Sequence, residues 1–116
     1  MNIEEFRNYC LSKREVTECF PFDETTLVFK VMGKMFALTD TENAFAIALK
    51  CEPESAVRLR EMYPAVTPGY HFNKKHWNTV ACDGSVSDEL LLSWIDHSYG
   101  EVVKSLPKKN HWLLEK

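Results

Sequence analysis

The spacing of apolar positions changes several times along this chain, and each change marks an element. Ile3, Phe6, Cys10 and Leu11 recur at helical spacing, and Asn2 followed three residues later by Glu5 forms a capping pair. The pattern predicts a first helix over about residues 3–13, with Phe6 and Cys10 inward. The stretch Glu18-Cys19-Phe20-Pro21-Phe22-Asp23-Glu24 keeps neither period and reads as a connection whose two phenylalanines plug one end of the core. Residues 26–31 then alternate, with Leu27, Phe29 and Val31 on one face and Val28 and Lys30 on the other. Met32-Gly33-Lys34 turns the chain, and residues 35–39 return with Phe36 and Leu38 inward. After the turn Asp40-Thr41-Glu42-Asn43, residues 44–50 place Phe45, Ile47 and Leu49 on one face and Ala44, Ala46, Ala48 and Lys50 on the other, completing a three-stranded meander.

Pro53 suits a first helical position, Glu52 and Glu54 favour the positive helix start, and Tyr63-Pro64 stops the run, which predicts a helix over 53–63. The segment Pro68-Gly69-Tyr70-His71-Phe72-Asn73-Lys74-Lys75-His76-Trp77-Asn78-Thr79-Val80 predicts two short strands around a polar tip at Asn73-Lys74-Lys75, with residues 77–82 extended. Asp83-Gly84 turns again and Ser87 caps a long last helix. Its apolar stripe, Leu91, Trp94, Ile95, Ser98, Val102 and Leu106, ends before Pro107. Helix, three strands, helix, two strands, helix is the order expected of an α+β two-layer sandwich with the terminal helices covering one face of an antiparallel sheet.

Composition narrows the function more than the fold. At 116 residues and 45% hydrophobic, the chain is expected to form one domain over 1–116, with its core at about 3–109 and a short basic tail at 107–116. The net charge of −3 argues against a surface uniformly attractive to nucleic acid or anionic lipid, so any anion site is expected to be local. Cys10, Cys19, Cys51 and Cys82 have no zinc spacing and lie among apolar neighbours, which predicts reduced thiols in a cytoplasmic protein without metal or cofactor. The start lacks a basic stretch followed by an apolar run, and no apolar run approaches the length of a membrane span, so neither a signal peptide nor a membrane partner is expected.

Several motifs stand together in an informative order. Pro21-Phe22-Asp23, then Phe29-Lys30-Val31-Met32-Gly33-Lys34-Met35-Phe36-Ala37, Leu49-Lys50, Leu59-Arg60, Pro68-Gly69-Tyr70-His71, Asn73-Lys74-Lys75-His76-Trp77-Asn78 and Ser98-Tyr99 resemble the MmcQ/YjbR family over about residues 3–109. Gly-Tyr-His followed by Asn-Lys-x-His-Trp-Asn is the most specific part. The resemblance implies a CyaY-like, frataxin-like arrangement, in which a curved antiparallel sheet packs against N- and C-terminal helices, and a DNA-binding role through two protruding wings. Asp23 departs from the glycine that family members often carry after Pro-Phe, and Phe72 stands where many carry methionine.

The residues themselves suit that role. Lys74, Lys75 and His76 offer charge and donors to phosphate oxygens. Tyr70 and Trp77 offer flat faces for stacking, and Asn73 and Asn78 offer paired donors and acceptors, with His71 beside them. Lys30 and Lys34 make the other wing, and Lys50, Arg58 and Arg60 extend the strip. The expected binding is weak, salt-sensitive contact with DNA by a non-catalytic protein. An enzyme resting on His71, His76, Cys82 and Asp83 lacks a nucleophile elbow, a phosphate loop or a metalloprotease helix. The acidic residues Glu4, Glu5, Glu15 and Glu18 read as solvated helix charge. The alternative is an adaptor that takes a protein partner, a second copy or a small ligand on an open sheet face at Ala44, Ala46 and Ala48. The terminal Trp112-Leu113-Leu114 is either a docking segment or packing against the sheet edge.

Overall fold

The computed structural model describes residues 1–69, 73–108 and 111. Its elements are α1 (Ile3–Leu11), β1 (Val16–Cys19), β2 (Thr26–Val31), β3 (Lys34–Asp40), β4 (Ala46–Lys50), α2 (Pro53–Met62), β5 (Val66–Pro68), β6 (Trp77–Ala81) and α3 (Asp88–Lys104). The strands form one antiparallel sheet in the order β1-β2-β3-β4-β6-β5, so β6 inserts between β4 and the edge strand β5. The α+β two-layer expectation holds, with a sheet larger than the pattern indicated.

Two of the strands, β1 and β5, were not indicated by the pattern. β1 pairs Val16 with Val31 and Cys19 with Val28, and its Thr17 and Glu18 interrupt any apolar run, which hides an edge strand inside an apparent connection. β5 lies at Val66–Pro68 and tolerates Pro68 because the outer side of an edge strand needs no donor. Part of the first strand expected around the polar tip, at Tyr70, His71 and Phe72, lies outside the described residues. The first helix also stops at Leu11, two residues early. Glu15 follows at φ 58° and turns the chain into β1.

Alternation sorts the two sheet faces. Leu27, Phe29 and Val31 of β2, Ile47 and Leu49 of β4 and Val80 of β6 meet Phe6 and Cys10 of α1 and Leu91, Ile95 and Val102 of α3 in the main core. Phe6 stands edge-on to Phe29 and Phe45, and Phe36 edge-on to Tyr99 of α3, contacts worth about 0.5–1.5 kcal/mol each beyond area burial. A bulge admits Phe36 to this face: Phe29 pairs with Ala37 but Lys30 with Met35, so Phe36 is the extra residue. Ser98, fully buried, serves the ladder there. Its hydroxyl donates to the Phe36 carbonyl and accepts from the Lys50 N–H at 2.8 Å, tying α3 to β3 and β4.

The β2–β3 connection is a two-residue turn with Met32 at φ 51° and Gly33 at φ 84°. Positive φ at both central positions matches the right-handed twist of the flanking strands. The opposite sheet face bears no helix among the described residues. It carries a second, smaller cluster of Val28, Leu38, Ala48 and Trp77, with Cys19 and Met35 alongside.

Candidate nucleic-acid interface

Strand direction decides whether the two lysine-bearing turns meet. β3 begins at Lys34, β4 ends at Lys50, and β6 begins at Trp77 opposite Lys50, so the β2–β3 turn and residues 73–76 lie at the same end of the sheet. Two strand spacings separate β3 from β6, about 10 Å. The predicted pairing of wings therefore has the right topology.

The second wing is built by local hydrogen bonds. Asn73 accepts the Lys75 N–H on its side-chain oxygen at 2.9 Å, and its carbonyl accepts the N–H groups of His76 and Trp77. Asn73 thus makes the turn that presents Lys74 and Lys75, both exposed. The Cys51 N–H donates to the His76 carbonyl at 2.6 Å and the Gly69 N–H to the Trp77 carbonyl at 2.8 Å, which fixes the turn at both flanks. Behind it, Arg60 of α2 donates through Nε to Asn78 Oδ1 at 2.6 Å and through its terminal nitrogen to the Lys74 and Trp77 carbonyls.

Those contacts correct three expectations. Trp77 is 7% exposed and packs against Val28, Leu38 and Ala48, so it does not offer a stacking face. Asn78 is 2% exposed, with its amide donating to the Ala56 carbonyl and its oxygen taken by Arg60, so it is a structural residue and not a reader of bases. Arg60 is the brace of the wing and adds no free cation to the strip. Alternation explains the first two: in β6, Trp77 faces the helix-free side and Asn78 the side of α2, and both sides are covered at that point. Of the alanine face, Ala44 is exposed and Ala46 half-buried. Ala44 precedes β4, and Ala48 is buried beneath Trp77.

In the first wing, Lys34 is exposed and its ammonium lies 3.4 Å from the carbonyl and hydroxyl of Ser105 at the end of α3. Lys30 is partly exposed on the helix-free face, across from Thr17 and Met35. Among the described residues, Lys30, Lys50 and Lys75 enter no ion pair. Tyr70 and His71 lie outside the described residues.

Charge is distributed by sheet end. The Glu15 carbonyl accepts the Met32 N–H, which places the end of α1, with Lys13 and Arg14, beside the β2–β3 turn. The end of α3, with Lys104 and Lys108, is there too, as the Lys34 contact with Ser105 requires. These cations were not expected at the site, although their places at or just beyond the ends of two predicted helices were visible in the sequence. Some are engaged: Lys13 pairs with Asp96 at 2.5 Å, and Lys104 with Glu101 at 2.8 Å. Of the acidic residues at this end, Glu52 spends its carboxylate capping α2 through the N–H groups of Glu54 and Ser55.

The opposite end is acidic. It gathers the turns bearing Asp23 and Asp40, joined by the Thr41 N–H on the Thr25 carbonyl, and Asp83, with the starts of α1 and α3 brought together by the Met1 ammonium on Asp88 at 2.7 Å. Backbone N–H groups of Thr26 and Thr25 hold the Asp23 carboxyl below its ordinary range, and the Glu42 N–H does the same for Asp40. No group of three potential metal ligands occurs among the described residues, nor is any described helix long and apolar enough to cross a membrane.

Fold and site together define a small α+β protein whose antiparallel sheet carries helices on one face and lysine-bearing turns at one end. The chain belongs to the YjbR family, whose profile matches residues 11–101. It is 36% identical over 115 residues to the protein YjbR of Escherichia coli K12, covering 98% of both chains. It is 38% identical over 93 residues to YbdF of Escherichia coli O157:H7, covering 79% of this chain and 76% of that one. The crystal structure of Deinococcus radiodurans protein DR2400, with a DUF419 domain, superposes with a TM-score of 0.92 at 40% identity, over 97% of this chain and 87% of the other. A Pseudomonas syringae crystal structure superposes with a TM-score of 0.73 at 28% identity, over 84% of this chain and 96% of the other.

Proposed function

We propose that this protein is a non-catalytic, cytoplasmic DNA-binding protein that grips the phosphate backbone with one end of its sheet. Lys74, Lys75 and His76 form one wing and Lys30 and Lys34 the other, with Lys50 between them. The observation that carries this reading is the placement of both turns at one sheet end, with the acidic turns at the other. A net charge of −3 then describes a polar distribution and not a uniformly repelling surface. Phosphate contact without base contact gives affinity with little sequence preference, and the burial of Trp77 and Asn78 favours that mode over base stacking or base reading.

The test is fluorescence anisotropy of labelled duplex and single-stranded DNA across a range of salt concentrations. Engagement of three to four phosphates predicts a slope of log K against log salt of about −3 on duplex. Lys74→Ala with Lys75→Ala reduces that slope by about 2 units, while Asp83→Ala at the acidic end leaves it unchanged. Absence of binding at low salt, or identical curves for the wild type and the double variant, overturns the reading.

A further inference from the structure

The backbone just after α1 is held at three points. The Tyr99 hydroxyl of α3 donates to the Arg14 carbonyl at 2.7 Å, the Met32 N–H donates to the Glu15 carbonyl at 3.2 Å, and Val16 pairs with Val31 at the start of β1. Glu15, at φ 58°, makes the reversal between helix and strand. Arg14 therefore stands on fixed structure beside the β2–β3 turn that leads into Lys34.

Its side chain is exposed, and its charge is not spent within the fold. Neighbouring cations are committed: Lys13 pairs with Asp96 and lies over the Tyr9 and Tyr99 rings, Lys104 pairs with Glu101, and the Lys34 ammonium reaches Ser105. Among the described residues, Arg14 enters no ion pair, with Glu15 or with any other carboxylate. Burial raises the Tyr99 phenol above its ordinary value, Arg14 opposes that shift and Glu15 adds to it, so both charges stand near the same ring.

A guanidinium held in this way suits a phosphate. It offers five donors in a planar fork, stays charged at any working pH, and loses less rotamer freedom per hydrogen bond than an ammonium. Position adds to the chemistry. β1 and β6 are four spacings apart in the sheet order β1-β2-β3-β4-β6-β5, which sets Arg14 about 19 Å from the Lys74–Lys75 turn across the basic end. The two wings alone span about 10 Å. Phosphates of one B-DNA strand advance about 3.4 Å per step along the axis, so Arg14 lengthens the contact from about three steps to about five or six.

We propose that Arg14 is a third phosphate-contacting element, outside both wings, that takes the DNA backbone where it passes beyond the β2–β3 turn. The contact deepens the phosphate reading and rests on it.

Anisotropy titrations of duplex DNA against salt separate the two. Arg14→Ala should bind about three- to tenfold more weakly at low salt and reduce the slope of log K against log salt by about 1 unit. Its urea midpoint should match that of the wild type, because Tyr99 bonds the Arg14 carbonyl and not the side chain. Arg14→Lys should keep the slope and lose about twofold in affinity, since an ammonium supplies the charge without the fork. A wild-type slope in Arg14→Ala, beside a slope that does fall in Lys75→Ala, overturns the Arg14 contact and leaves the phosphate reading standing. A slope reduced equally in Arg14→Lys and Arg14→Ala traces the loss to local structure and also overturns the contact. No binding by the wild type at low salt overturns the phosphate reading and this contact together.

Discussion

Arg60 donates its Nε–H to Asn78 Oδ1 at 2.6 Å, joining the helix before the second wing to the strand after it. The pair closes a buried network. Asn78 gives its amide to the Ala56 carbonyl one turn earlier on α2, and Arg60 reaches on to the Lys74 and Trp77 carbonyls. The Lys74 carbonyl, which lies in the connection between β5 and β6 outside the ladder, is thereby paired. Because Asn78 is 2% exposed, removing Arg60 strands its Oδ1 without water, and removing Asn78 leaves the half-buried Arg60 Nε–H without its acceptor. Arg60→Ala and Asn78→Ala are each expected to cost about 2–3 kcal/mol in urea unfolding. The double variant should cost less than the sum by about 1–2 kcal/mol. Full additivity would show that the bond does not couple the two elements.

Gly69 is required for a different reason. A Cβ there would stand 2.8 Å from the Trp77 Cβ and 3.1 Å from the Trp77 carbonyl group, and a backbone neighbour cannot rotate aside. Gly69→Ala should therefore lower stability by about 1–3 kcal/mol and perturb the amide shifts of residues 73–78. A variant with wild-type stability and unchanged shifts would mean that the chain at this point moves at little cost.

Legibility in the sequence followed the range of the interaction. Alternation in β2 and the Asn2 and Ser87 caps report on residues near in sequence, and they located β2 and the starts of α1 and α3. β1 was missed because an edge strand with Thr17 and Glu18 in its centre has no core-facing run to betray it. The strand at Val66–Pro68 was not anticipated, since Pro68 reads as a turn signal while standing in an edge strand. The wing lysines and their shared end could be anticipated from hairpin direction. The burial of Trp77 could not, because it depends on Val28, Leu38 and Ala48 arriving from three other strands. Arg60 and Asn78 likewise meet across a helix-to-strand reversal that no local pattern encodes.

Glu15 holds φ 58°, a region that costs an ordinary L-residue roughly 1 kcal/mol, while its carbonyl receives the Met32 N–H and its side chain is exposed. Asparagine tolerates this conformation better. Glu15→Asn should raise stability by about 0.5–1 kcal/mol, visible as a higher urea midpoint at unchanged slope. A lower midpoint would show that the glutamate contributes more through charge than it costs through strain.

The cysteines should separate by environment. Burial pushes the Cys10 thiol up to about 12, and burial likewise raises Cys51 and Cys82 to about 11, so all three carry almost no thiolate near neutrality. Cys19 is only partly buried, at the end of the edge strand. Iodoacetamide at pH 8 should modify Cys19 at least tenfold faster than the others in the native protein, read by peptide mass mapping. Faster reaction at Cys10 would require the α1 interface to open readily.

Stability should fall at both ends of the pH scale, from different groups. Asp23, Asp40, Glu52 and Asp83 are held below their ordinary values, chiefly by hydrogen bonds within their own turns or caps, and Glu18 by its hydrogen bond with Arg7. A carboxyl with a depressed native pKa contributes its full stabilisation above the unfolded value, about 4, and loses it as the pH drops through the native one. The urea midpoint should therefore be nearly flat from pH 7 to about 5 and decline below about 4. Asp23→Asn, which keeps one acceptor oxygen for the turn, should make that decline shallower. The Met1 ammonium behaves in the opposite sense: its hydrogen bond to Asp88 raises its pKa. Its contribution is complete below the unfolded value, about 8, and disappears as the pH rises through the native one. Asp88→Asn should flatten the alkaline limb alone. An acid limb unchanged in Asp23→Asn, or an alkaline limb unchanged in Asp88→Asn, would place the titrating groups elsewhere in the fold.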